Sequence, residues 1–197
     1  PLNLSNGQFY NDSLLTGGNI PFGKKGIGQA LDAPAFAFGR NITPDPETGI
    51  GTWTERQFLN SVQMGIRPDG TVLTNHMPYA YIGLWPEEDL QAVFKYLKSI
   101  APVRKVVPPV ELRKEITEAR GVPRGKALFD TYCFSCHGVD GAGAPPTKLV
   151  LAEIANTIDD KTLKNFVADG QLNLRMPGFA KTLTSEQLDD VVSYIRT

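Results

Sequence analysis

Apolar positions recur at helical spacing along several stretches of the chain. In "WTERQFLNSVQMG" (53–65), Phe58, Leu59 and Val62 fall on one face with Ile66 just beyond, and Thr52 or Thr54 stands where an N-cap belongs. "WPEEDLQAVFKYLKSI" (85–100) opens with Pro86 and acidic residues in its first turn, and Leu90, Val93, Phe94 and Leu97 form its stripe. "LTSEQLDDVVSYIRT" (183–197) places Thr184 three residues before Gln187, a capping box, ahead of Leu188, Val191, Val192 and Ile195. A fourth helix is expected over "PRGKALFDTYC" (123–133) and a short one over "DDKTLKNFVADG" (159–170). Sustained apolar/polar alternation bounded by hairpin turns is absent, so the pattern predicts a mainly α protein with long loops.

The same pattern repeats. "FLNSVQMG … MPY … EEDLQAVFKYLKSI" precedes residue 101, and "LKNFVADG … MPGF … SEQLDDVVSYIRT" follows residue 122. Each copy has a helix ending in glycine (Gly65, Gly170), a Met-Pro pair (Met77-Pro78, Met176-Pro177) and an acidic-start helix with Leu90/Tyr96 or Leu188/Tyr194 at matching offsets. Between them, Pro102, Pro108 and Pro109 break residues 101–122 into a linker with a short helical piece near Glu111–Ala119. The expected organisation is a first domain over 1–100, a linker over 101–122 and a second domain over 123–197.

Size and charge narrow the classes. A chain of 197 residues makes one ordinary domain or two small ones. With 41% hydrophobic and 21% charged residues, the composition is that of a folded globular chain. Twenty basic residues against 21 acidic ones leave a formal charge of −1, which offers no excess to displace phosphate counterions and argues against nucleic acid as a partner. No apolar run is long enough to span a bilayer, so membrane association is expected only through a segment or subunit outside this chain.

The chemistry concentrates in "YCFSCHG" (132–138), which holds both cysteines, Cys133 and Cys136, and one of the two histidines, His137. A CxxC pair fits a disulfide, a redox dithiol or half of a zinc site. The dithiol reading lacks its βαβ setting, and zinc would need His137 and His76 to come together from different halves. CxxCH reads most directly as attachment of haem c: two thiols three residues apart add to the two vinyl groups along one haem edge, and the adjacent imidazole comes under the iron. The second axial ligand is then expected on a loop before the final helix, where Met176 stands in "LRMPGF". A thioether favours ferrous iron and raises the potential relative to a second imidazole.

Residues 123–197 resemble a class I cytochrome c domain: a helix leading into Cys133–His137, the glycine-rich "GVDGAGAPP", a Met-Pro loop and a C-terminal helix. The resemblance implies that the first and last helices cross, bringing Gly125 and Phe129 against an aromatic such as Tyr194. It also implies that a proline carbonyl, of Pro145 or Pro146, meets the ligating histidine. Residues 1–100 resemble the first domain of dihaem cytochromes c, including cytochrome subunits of periplasmic dehydrogenases. That likeness rests on "GRNITPDPETGIGTWTERQF" (39–58) and "GIRPDGTVLTNHMPYAYIGLWPEEDLQAVFKYLKSI". This half departs from the pattern in having no cysteine and no histidine before His76. Three explanations compete: an attachment motif and first helix upstream of residue 1, a haem-free relic, and a haem held without covalent links by Met77 or His76. The first is favoured, because a cytochrome c domain without its first helix lacks one wall of its core and the chain starts where the motif should end; retention of Met77-Pro78 speaks against the relic. His76 reads as a surface or propionate-side residue, Trp53 and Trp85 as core or haem-wall residues, and Met64 as packing.

The resulting expectation is two tandem class I cytochrome c domains, the first lacking its N-terminal helix. Haem c would sit at Cys133, Cys136, His137 and Met176, with a second haem at Met77. The protein would pass single electrons outside the cytoplasm, as a subunit or partner of a dehydrogenase, an oxidase or another cytochrome, and would not itself be an enzyme. The alternatives are a dihaem peroxidase, a thiosulfate-oxidising cytochrome, or a docking subunit with a haem-free first domain.

Overall fold

The computed structural model describes residues 15–18, 34–144 and 150–197. Nine helices are assigned among these: α1 (Glu55–Met64), α2 (Tyr79–Ile82), α3 (Glu87–Ser99), α4 (Lys114–Glu118), α5 (Val122–Tyr132), α6 (Phe134–His137), α7 (Leu151–Ala155), α8 (Asp160–Asp169) and α9 (Ser185–Ile195). Regular strand among the described residues is confined to β1 (Ala35–Phe36) and β2 (Glu111–Leu112), as the weak alternation predicts. None of the described helices is long and apolar enough to cross a membrane. The chain packs as two units, one of Pro1–Leu59 with Trp85–Glu111 and the other of Asn60–Leu84 with Leu112–Thr197.

In the first unit, Thr54 caps α1. Its hydroxyl accepts from the Gln57 N–H at 3.2 Å, and the Gln57 side chain accepts from the Thr54 N–H at 2.9 Å, a box that selects Thr54 over Thr52. Phe58 of α1 meets Phe94 of α3 with ring centroids 5.0 Å apart. Leu90, Phe94 and Leu97 form the buried stripe of α3, whereas Val93, expected in that stripe, is 41% exposed. Trp85 is 55% exposed. The loop after Gly39 is a polar knot. Asp45 Oδ1 accepts from the Thr48 N–H and hydroxyl, each at 2.7 Å, while Asn41 Nδ2 donates to the Val103 carbonyl at 2.8 Å and Arg40 to that of Pro108 at 2.7 Å. Among the described residues the extended, proline-interrupted run through residue 108 pairs in no strand, and these side chains satisfy the Val103 and Pro108 carbonyls.

The second unit is organised by the crossing of α5 and α9. The capping box at Thr184 and Gln187 is formed as the sequence predicts. Leu188 and Val191 of α9 join Leu128 of α5, Val167 of α8, Val72, Phe179 and Leu183 in one core, and Val192 packs with Ala155 and Leu163 in a second. At the crossing, Phe129 stands edge-on to Tyr194, and a Cβ on Gly125 would overlap the Asp190 carbonyl. Beside them the buried Arg124 guanidinium pairs with Asp190 and, at 2.8 Å, with Glu186.

The two repeated glycines behave alike. Gly65 and Gly170 end α1 and α8 with φ of 73° and 74°. A side chain on Gly65 would strike the Tyr79 ring, and one on Gly170 would strike the Gly178 backbone. Tyr79 and Gly178 each lie two residues beyond a repeated methionine, so each glycine leaves room for the chain leaving its Met-Pro pair.

Candidate haem site

Helix α5 delivers the attachment residues. It ends at Tyr132, Cys133 follows as its C-cap, and the short α6 carries Cys136 and His137. The turn is closed by the Cys136 and His137 N–H groups donating to the Cys133 carbonyl at 3.1 and 3.0 Å. Gly138 then leaves with φ of 76°, and the Gly143 N–H returns to the His137 carbonyl at 2.7 Å. A Cβ on Gly138 would run into the Gly143 carbonyl, so this tight return requires glycine.

The ionisation of these groups separates the readings of the motif. The two cysteines form no disulfide. Burial pushes the Cys133 thiol up to about 12, with the neighbouring Cys136 adding to the shift, and burial also raises Cys136. A redox dithiol needs a thiolate stabilised below its ordinary value, the opposite of what this corner provides. Among the described residues no group of three or more His, Cys, Asp or Glu is placed to hold a metal ion, so zinc finds no ligand set. His137 is half-buried and burial lowers its pKa, keeping the ring neutral, the form in which imidazole binds a metal. Among the described residues its buried Nδ1 meets no hydrogen-bond partner. A neutral imidazole directly after a turn that bears two protonated thiols fits a haem attached through Cys133 and Cys136.

The Met176 loop comes to the same corner. Gln171 and Met176 exchange backbone hydrogen bonds at 2.8 and 3.0 Å, and Arg175 turns the loop with φ of 61°. Met176 is half-buried against the core that contains Phe179, and Phe179 meets Tyr132, the residue before Cys133, at 6.0 Å. The Arg175 charge lies close enough to Cys136 to pull its pKa down against the effect of burial. Pro145 and Pro146, the expected partners of the histidine, lie outside the described residues.

Met77 is half-buried in the loop before α2, with its N–H donating to the Thr74 carbonyl at 3.0 Å. His76 is half-buried, its Nδ1 lies 3.1 Å from the Thr74 hydroxyl, and burial lowers its pKa. This loop rests on the attachment corner, which sequence reasoning did not anticipate. The Asn75 N–H donates to the Thr131 carbonyl at 2.8 Å, Asn75 Nδ2 to that of Asp130 at 2.9 Å, and the Tyr79 hydroxyl to that of Tyr132 at 3.2 Å. The Ser135 hydroxyl donates to Asn75 Oδ1 at 2.7 Å. Burial and the two nearby cysteines raise the pKa of Tyr79. Tyr79 lies within the repeated Met-Pro motif, but nothing in the periodicity of Asn75, Tyr79 or Arg175 marks them as neighbours of the cysteines.

A two-cysteine turn at the end of a helix, an adjacent neutral histidine, a Met-Pro loop and a crossing C-terminal helix define a class I cytochrome c domain. Residues 120–195 match the family described as cytochrome c oxidase, cbb3-type, subunit III. The chain is 40% identical over 196 residues to a nicotinate dehydrogenase subunit of Pseudomonas putida, covering 86% of this chain and 16% of that protein. It is 30% identical over 184 residues to the cytochrome c subunit of alcohol dehydrogenase (quinone) from Gluconacetobacter polyoxogenes, covering 80% of this chain and 37% of that protein. It is 27% identical over 210 residues to the cbb3-type cytochrome c oxidase subunit CcoP of an Azospirillum species, covering 95% of this chain and 65% of that subunit. The chain thus spans about one sixth and somewhat over one third of the first two relatives.

Proposed function

We propose that this chain is an electron-transfer cytochrome c that works outside the cytoplasm within a dehydrogenase or cbb3-type oxidase assembly, carrying haem c on Cys133 and Cys136 with His137 and Met176 as axial ligands. The observation that carries the reading is the placing of the neutral His137 ring directly after the Cys133–Cys136 turn, with the Met176 loop brought to the same corner. Haem c, when attached, supplies an iron that alternates between ferrous and ferric. The chain's own contribution is to hold the ligands still through that change. Phe129 lies 6.5 Å from the His137 ring, and the Gly138–Gly143 return fixes the backbone beyond it. Burial of the corner favours the less charged ferrous state, and a thioether ligand adds to that preference.

The reading extends to a relay of two domains with a second haem, for which Met77 would supply an axial ligand. The matching behaviour of Gly65 and Gly170 beneath the two Met-Pro exits supports it. The relatives named as dehydrogenase and oxidase subunits support such an assembly as the partner. The test is haem stoichiometry of the native protein by pyridine haemochrome against protein mass, with mass spectrometry of the Cys133–Cys136 peptide. Two haems per polypeptide, one on that peptide, are expected. One haem would remove the relay and leave the first half as a docking platform. An unmodified peptide would overturn the cytochrome reading.

A further inference from the structure

Residues 60–84 lie outside the matched stretch 120–195, yet they pack in the same unit and bond to both loops of the haem site. Helix α5 ends at Tyr132, so the last carbonyls before Cys133 lack partners within the helix. Three of them in succession, those of Asp130, Thr131 and Tyr132, accept from Asn75 Nδ2, the Asn75 N–H and the Tyr79 hydroxyl. The Ser135 hydroxyl, inside the CxxC turn, returns a bond to Asn75 Oδ1. Asn75 and Tyr79 therefore cap the helix that aims Cys133, from more than 50 residues away in sequence.

The other end of the segment grips the methionine loop. Arg175 Nη2 donates to the carbonyls of Gln63 at 3.1 Å and Gly83 at 3.0 Å, near the C-terminal ends of α1 and α2, where carbonyls again lack helical partners. The Val72 N–H donates to the Thr182 hydroxyl at 2.8 Å, and the Val72 side chain is buried in the core that Met176 packs against. Gly65 leaves space for the Tyr79 ring, tying the segment to itself between these contacts.

We propose that residues 63–83 act as a strap that holds the Cys133–His137 corner and the Met176 loop in fixed register, with Asn75, Tyr79 and Arg175 as positioning residues for the iron ligands. The inference rests on the haem reading above. With haem attached, a slack strap would hold the Met176 loop less firmly and would admit water to the corner, which would favour the more charged ferric state and lower the potential.

The experiment uses the full chain, matured with haem, carrying Tyr79→Phe or Arg175→Lys. The first removes one hydroxyl and keeps the ring; the second keeps the charge and removes the Nη2 group that donates to both carbonyls. With haem confirmed on the Cys133–Cys136 peptide, each variant is expected to lower the potential of that haem. Each should also raise the population lacking the ferric sulfur-to-iron charge-transfer band about fivefold, the size of one lost hydrogen bond. Unchanged potential and band in both variants, with haem attached, would overturn the strap and leave the cytochrome reading standing. Absence of haem from the wild-type peptide would overturn both. For a variant that takes up no haem, amide hydrogen exchange at His137 and Gly138 in the apo chain is the second readout: faster exchange than in wild-type apo chain supports the strap, and equal exchange overturns it.

Discussion

Phe129 meets Tyr194 edge-on with ring centroids 5.3 Å apart, and through this pair the C-terminal helix governs the histidine turn. Phe129 also lies beside His137, and the Tyr194 hydroxyl donates to Asp140 Oδ1 at 2.6 Å, three residues beyond that histidine. The chain is therefore tied to α9 on both sides of the turn. Edge-to-face aromatic pairs contribute about 1 kcal/mol beyond their buried area, but here the geometry carries more weight than the energy. On the proposed reading of His137 as an iron ligand, contacts before and after it would hold it through a change of iron charge.

That geometry depends on a glycine. Gly125 sits one turn before Phe129, and a Cβ there would overlap the Asp190 carbonyl and come within 2.9 Å of Tyr194 Cβ. Both obstacles belong to α9 and cannot yield without separating the helices. Gly125→Ala is expected to destabilise the protein by about 2 kcal/mol or more, despite alanine's better helix propensity. Urea unfolding would check this; an unchanged midpoint would mean that the helices do not cross so closely.

Asp190 presents a second test at the same crossing. Its carboxylate holds the buried Arg124 guanidinium and accepts from the Gly121 N–H at 2.7 Å. Asp190→Asn keeps the shape and removes the charge, leaving the guanidinium with Glu186, which is 60% exposed. Breaking one partner of a buried pair costs about 3 kcal/mol, far more than a surface pair contributes. A loss below about 0.5 kcal/mol in chemical denaturation would show that Glu186 and solvent replace Asp190 in full.

Much of this is legible in the chain, and the reason differs by element. The α9 cap, the stripe of Leu188, Val191 and Val192 and the CxxCH turn are local patterns, set by residues three or four positions apart. Helical spacing makes the α3 stripe one residue too wide at Val93, because spacing alone does not distinguish the centre of an apolar face from its edge. Trp85, expected in the core or at a haem wall, is exposed, which leaves the second of these readings, and its sequence does not distinguish the two. The contacts of Asn75, Tyr79 and Arg175 join backbone carbonyls to side chains 53 to 112 residues away, and such bonds leave no period in either partner.

Acid stability follows from carboxylates held below their ordinary value of 3.8. The Thr48 hydroxyl and N–H do this for Asp45, the Tyr194 hydroxyl and Lys126 ammonium for Asp140, and the Thr162 N–H for Asp159. A depressed carboxyl contributes stability that is fully present above its unfolded pKa and lost as pH falls through the lower folded one. Melting temperature is therefore expected to hold from neutrality to about pH 4 and to fall below it. Asp140→Asn should make that acid limb shallower. Asparagine also tolerates the φ of 52° at this position, so the substitution isolates the charge from backbone strain. An acid limb of unchanged steepness would show that Asp140 keeps its ordinary pKa.

The methionines give the most direct test of ligation. Replacing a thioether by imidazole on haem iron stabilises the ferric state and lowers the potential. Met176→His is expected to lower the potential of the haem on Cys133 and Cys136 and to abolish its ferric sulfur-to-iron band, leaving the covalent attachment intact. Met77→His acts on the other half: with two haems present, it should lower a second potential. The strap makes the two substitutions incompletely independent, because Met77 lies between Asn75 and Tyr79, which cap the helix bearing Cys133. Potentiometric titration of both single variants and the double variant measures that coupling, since distant, independent sites add. A Met176→His protein that keeps its potential and its band would remove Met176 from the iron. A Met77→His protein whose potentials both match the wild type would remove Met77 from any iron.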